Sequence, residues 1–299
     1  MRSLMNVDSR YISTPFEIQS LLTLKERTKP VLRVSLSDTD RIDDIYKLSK
    51  NLGLFVLIKK LKLEGVGKVR FAYFSIFDGL PEKAYEAEKN RNVKEFGRLL
   101  GYPECCIDEF INSSKKSEDE IKKFGFRYII NSYLNTKGKP SFYCNNLFNF
   151  ESKLVYDEIY IYRKNQNIFS KYQHLFLIEH IPCSFDCKES IKFGKRTLEL
   201  LRNHIPKLAE EIVNALKRPV LYFDYFNWLV FDGIVNGNEL KYEKVLPYES
   251  LFPKEKLNVI KKGNKIKVSD DKIQVFKDEN LLLEISKEEK YKGILIDFS

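Results

Sequence analysis

The chain has 299 residues, 43% of them hydrophobic and 31% charged, with a formal net charge of +9. That is apolar material enough for one large domain or two ordinary ones, and it excludes disorder as the default state. No run approaches the ~20 apolar residues that span a bilayer. The opening MRSLMNVDSRYISTPFEIQS lacks the apolar core of a signal peptide, so a cytoplasmic protein with reduced thiols and no membrane partner is expected.

Residues 1–40 mix polar turns with short apolar runs such as LLTL and VLRVSL. Ile42, Ile45, Leu48, Leu52 and Phe55 recur at helical spacing, and VRFAYFSIF (69–77) reads as a strand. Residues 82–100 predict one continuous helix with a stripe of Ala84, Ala87, Val93, Phe96, Leu99 and Leu100. Gly101 then falls where a C-cap glycine belongs, and Pro103 falls where a new helix begins. Within 120–173, LVYDEIYIY is the clearest strand, and HLFLIEH (174–180) reads as a buried strand. From Ser184 to Leu216 apolar residues recur at helical spacing, as one long helix or two joined near Pro206. After Lys217, short strands alternate with Gly, Asn and Asp turns. The expected fold is mixed α+β, with a helical centre, small sheets and a β-rich C-terminus. The expected division is an α/β cysteine-motif domain at 1–217 and a β-rich module at 218–299.

The chemistry gathers in the cysteines. Four of the five lie in GYPECC (101–106) and HIPCSFDC (180–187). In both segments a proline precedes a cysteine at a predicted helix start. Unpaired N–H groups and the helix dipole there favour a thiolate, while Glu104, Asp108 and Asp186 oppose it. On a helix, Cys183 and Cys187 would share one face. Cys105 and Cys106 would point ~100° apart, which would strain a shared single zinc. Cys105, Cys106, Cys183 and Cys187 are therefore the candidate ligands of a metal or of an iron–sulfur cluster. His180, Ser184 and Cys144 are additional candidates. Thiol redox chemistry with His180 as base fits the same residues. Burial of the cysteines as small apolar groups is the plain alternative. CxxC, GxGxxG, P-loop, HExxH and GxSxG patterns are absent.

The competing class is an RNA-binding protein with structural cysteines. Residues 1–100 carry 19 basic and 13 acidic residues. Trp228, Tyr222, Tyr225 and Phe226 with Lys241 and Lys244 would supply a stacking surface.

GRLLGYPECCIDEF (97–110) and HIPCSFDCKES (180–190) resemble the paired signatures of a mainly archaeal family of uncharacterised proteins, domain-of-unknown-function family 483. The resemblance covers about 80–217. It implies an archaeal, cytosolic source and places the four cysteines inside the matching motifs. It implies no activity or cofactor.

Overall fold

The fold is seen in a computed structural model, which describes residues 15–36, 42–63, 67–114, 124–147, 150–151, 172–173, 175–224, 227–246, 252–287 and 292–299. The predicted strand LVYDEIYIY lies outside these residues. The protein is a mixed α+β fold, as the sequence predicts.

The N-terminal third is a small antiparallel sheet in the order β1–β3–β2, with β1 at Val31–Leu36, β2 at Phe55–Leu63 and β3 at Gly67–Ser75. Strand alternation sends Leu32, Val34, Ile58, Ala72 and Phe74 to one face. There they pack with Leu21 and Leu24 of α1 (Pro15–Lys25) and Leu48 and Leu52 of α2 (Ile42–Leu52). The opposite face sends Val31, Leu61, Val69, Phe71 and Tyr73 against Ala84 and Ala87 of α3 (Leu80–Lys89).

The predicted helix at 82–100 is two helices, α3 and α4 (Val93–Leu99). Arg91 takes a left-handed φ of 55° and the Asn92 side chain caps α4 by accepting from Glu95 N–H. No Gly or Pro marks that break.

The corner after α4 follows the sequence prediction. Gly101 has φ 78°. The Tyr102 N–H donates to Gly97 O and the Gly101 N–H to Arg98 O, the paired bonds of a Schellman cap. Pro103 O then accepts from the N–H groups of Cys106 and Ile107, opening α5 (Glu104–Ser114). A Cβ at Gly101 would meet Lys29 Cβ at 3.0 Å and Pro30 Cδ at 3.3 Å. Gly101→Ala is expected to cost about 1–3 kcal/mol in a urea melt, from left-handed strain plus this crowding. A change within a few tenths of a kcal/mol would contradict this reading of the corner.

α6 (Phe124–Leu134) follows, then a 3-10 turn at Phe142–Cys144. Strands β4 (Phe150–Glu151) and β5 (Tyr172–Gln173) form a two-residue pair. HLFLIEH is not a strand over its described residues 175–180, although Leu175, Phe176, Leu177 and Ile178 are buried. Two helices come next, α7 (Lys188–His204) and α8 (Pro206–Leu216), broken at Ile205 with Pro206 in the first turn of α8.

Beyond Lys217 the strands are β6 (Val220–Asp224), β7 (Asn227–Asn236), β8 (Glu239–Val245), β9 (Lys265–Val268), β10 (Lys272–Lys277), β11 (Asn280–Ser286) and β12 (Ile294–Ile296). They form one sheet in the order β11–β10–β9–β8–β7–β6–β12, with α9 (Lys254–Lys262) between β8 and β9 in the chain. Val220, Tyr222, Trp228, Val230, Ile294 and Ile296 from this sheet join the core built by α7, α8 and the 175–185 segment. Tyr222 and Trp228 are therefore buried, 1% and 7% exposed, and cannot offer the stacking surface suggested for RNA. Tyr225 and Phe226 lie outside the described residues.

Candidate metal centre

The two cysteine segments meet. Cys105 and Cys106 stand in the first turn of α5, and Cys187 is the N-cap residue of α7. Cys183 is not on a helix, correcting the sequence prediction: 183–187 forms a turn that ends at the α7 N-cap. The Cys105 and Cys106 sulfurs are 3.9 Å apart, those of Cys105 and Cys187 3.7 Å, and those of Cys106 and Cys187 3.8 Å. With Cys183 included, all four sulfurs lie within 4.8 Å of one another. The expected strain from adjacent cysteines does not keep their sulfurs from converging. Cys106 and Cys187 are buried, Cys183 is half-buried and Cys105 is exposed.

The turn carrying Cys183 is gripped by α6 and the loop after it. Ser132 donates to Pro182 O at 2.5 Å, Asn135 to Cys183 O at 3.1 Å, and Asn146 to His180 O at 3.0 Å. The Phe185 N–H donates to Thr136 Oγ1 at 2.9 Å, and the Ser141 N–H to Phe185 O at 2.8 Å. These bonds satisfy a buried backbone that has no strand partner.

The acids that would oppose a thiolate are spent elsewhere. The Asp186 carboxylate accepts from the N–H groups of Lys137 and Gly138 and from Ser184 Oγ. Burial pushes Asp186 up, but these donors outweigh it and leave its pKa below the usual value. Glu104 is paired with Arg98, and Asp108 with Lys94 at 2.9 Å.

Within the group, thiol donors Cys106 and Cys183 lower the pKa of Cys187, against the cost of its burial. Cys106 is pushed up through its contacts with Cys183 and Cys187 and by burial, and burial raises Cys105. For Cys183 the Cys106 contact lowers the pKa, but Cys187 and burial outweigh it and push it up to about 12. Four sulfurs crowded together cannot all be charged without a cation between them.

The additional candidates fall into place around the sulfurs. Ser184 is turned to Asp186. Cys144 is fully buried in the central core, its Sγ 4.0 Å from Cys187 O and outside the four-sulfur group. His180 is buried and its Nε2 lies 2.8 Å from Ser190 Oγ. Burial lowers its pKa to about 4, so the ring is neutral at physiological pH. Ser190 Oγ in turn lies 3.3 Å from Cys106 Sγ. Ser190 is not among the candidate residues read from the sequence. Its place one turn into a helix that starts at a candidate ligand was the available signal.

Fold and site together define an α+β protein with a four-thiol site joining two helix starts. The family described as "Protein of unknown function (DUF483)" matches residues 76–212, a segment that contains all four cysteines. No curated protein and no solved structure matches the chain.

Proposed function

We propose that Cys105, Cys106, Cys183 and Cys187 hold one tetrahedral metal ion, zinc by its donor set, that ties the α4–α5 corner to the start of α7. The spacing of the sulfurs carries this reading. Zn–S bonds of about 2.3 Å at tetrahedral angles put ligand sulfurs about 3.8 Å apart, against 3.7–3.9 Å for the three pairs among Cys105, Cys106 and Cys187. An iron–sulfur cluster is less well supported, because ligands on different irons stand further apart than ligands on one ion. Four protein thiolates leave no open position on the ion, so its role would be structural. The helix-start N–H groups and the neutralised acids favour the thiolate form the ion needs.

Metal and acid-labile sulfide analysis after anaerobic purification tests this. The expected result is one zinc per chain without sulfide, and none in Cys183→Ala/Cys187→Ala. If both proteins are equally metal-free and equally thiol-reactive, the site reading fails. Iron with stoichiometric sulfide would replace the single ion by a cluster.

One observation favours thiol redox chemistry in the metal-free protein. The exposed Cys105 stands 3.7 Å from Cys187, whose pKa its thiol neighbours lower, which suits thiol–disulfide exchange. Faster alkylation of metal-free than of zinc-loaded protein is the pattern both readings share.

The His180–Ser190–Cys106 contacts supply the outer shell that orients a ligand. Ser190→Ala is expected to weaken zinc about 10–100-fold in competition with a chromophoric chelator, with Ser190→Thr restoring most of it. Unchanged affinity in the alanine variant would remove Ser190 from this role.

A further inference from the structure

The β2–β3 ribbon carries an unusual pairing. Its register sets Lys60 directly opposite Arg70, and Lys62 directly opposite Lys68. Alternation puts all four on the face shared by Ile58 and Ala72, at the far end of the ribbon. Lys60, Lys62 and Lys68 are exposed and Arg70 is half-exposed. Like charges directly opposite one another destabilise a strand pair. Among the described residues none of the four side chains has an ion-pair or hydrogen-bond partner.

The same stretch of ribbon is firmly backed. Leu61 and Val69, opposite each other in the register, pack on the reverse face with Ala84 and Ala87 of α3. The cations therefore stand on a fixed platform. Along each strand they are two residues apart, about 6.6 Å, and across the strands about 4.8 Å. That suits successive phosphates of one extended polynucleotide strand.

A lipid surface fits less well. Among the described residues Phe55 is the large apolar side chain exposed on this ribbon, and alternation points it to the face opposite the cations. The excess of positive charge in residues 1–100, 19 basic against 13 acidic, points the same way as the patch.

We infer that this face of the β2–β3 ribbon binds the phosphodiester backbone of single-stranded nucleic acid. The contact is electrostatic and independent of sequence, because lysines meet phosphates as point charges. It does not depend on the metal site.

The test is fluorescence anisotropy with a labelled oligouridylate over a salt series, using the full chain and Lys60→Glu/Lys68→Glu. Each new glutamate faces a cation, Arg70 or Lys62, so the variant is expected to melt no lower than wild type. Wild type should bind with a log–log salt slope of about −3, from four neutralised phosphates at roughly 0.7 each. The variant should bind roughly tenfold or more weakly with a shallower slope. Equal binding by the two proteins, or no binding by wild type at low salt, overturns the inference. Phosphatidylserine vesicles bound as tightly as the oligouridylate, and lost in the same variant, overturn it in favour of a lipid surface.

Discussion

Cys106→Ser is expected to abolish tight zinc binding and, with it, the zinc-dependent part of the protein's thermal stability. Cys106 is the most connected sulfur of the four. It lies 3.9 Å from Cys105, 3.8 Å from Cys187 and 3.3 Å from Ser190 Oγ, and it accepts from the Cys183 N–H at 3.3 Å. Serine keeps the shape but not the soft, readily ionised donor. An ion that binds the folded state alone, at a thousand times its dissociation constant, stabilises by about 4 kcal/mol. For a chain of this size that is about 8 °C, at roughly 2 °C per kcal/mol. Adding zinc should therefore raise the melting temperature of metal-free wild type by about 8 °C and leave Cys106→Ser unmoved. A comparable shift in both proteins would place the bound zinc somewhere else.

Glu179→Leu is expected to destabilise the protein by about 3–5 kcal/mol. Lys29 is buried, its side chain 2% exposed, with Nζ 2.5 Å from Glu179 Oε1, and Glu179 is itself 17% exposed. Ser20 Oγ donates to the same oxygen at 2.9 Å. Removing the carboxylate strands an ammonium group in the interior beside the Gly101 corner. The pair links the turn before β1 to the residue preceding His180, so it also fixes how the N-terminal sheet meets the cysteine segment. Lys29→Met/Glu179→Leu should recover most of the loss, because an apolar pair leaves no buried charge. Urea denaturation of wild type, the single variant and the double variant measures both. A double variant as unstable as the single one would mean that shape, not charge, governs this contact.

The parts of the fold that were legible in the sequence are those marked by residues with few conformational choices. Gly101 and Pro103 set the corner before α5, and Pro206 separates α7 from α8. The C-terminal strands were legible because Gly, Asn and Asp punctuate them. The break between α3 and α4 was not, because it rests on Arg91 in a left-handed conformation that arginine seldom adopts.

HLFLIEH carries the composition of a buried strand. Around its end, however, the carbonyls of His180, Pro182 and Cys183 find the side chains of Asn146, Ser132 and Asn135 instead of a strand. Those partners are distant in the chain, and no local pattern announces them. The same tertiary contacts hold Cys183 in a turn where helical periodicity was expected.

The candidate site was legible to the extent that its chemistry is written in residue type. Two Pro–Cys segments suggested one site, and the four sulfurs do converge. How they converge was not legible, since it depends on the relative placement of α5 and α7. The contact of Ser190 with Cys106 spans the same gap. The paired cations of β2 and β3 likewise appear only once the strand register is known.

X-ray absorption at the zinc edge of the purified full chain tests the four-thiolate centre most directly. The account predicts a first shell of four sulfurs at about 2.3 Å, with no metal–metal scattering. A shell containing nitrogen or oxygen would contradict it, as would absence of zinc with a metal–metal vector at the iron edge.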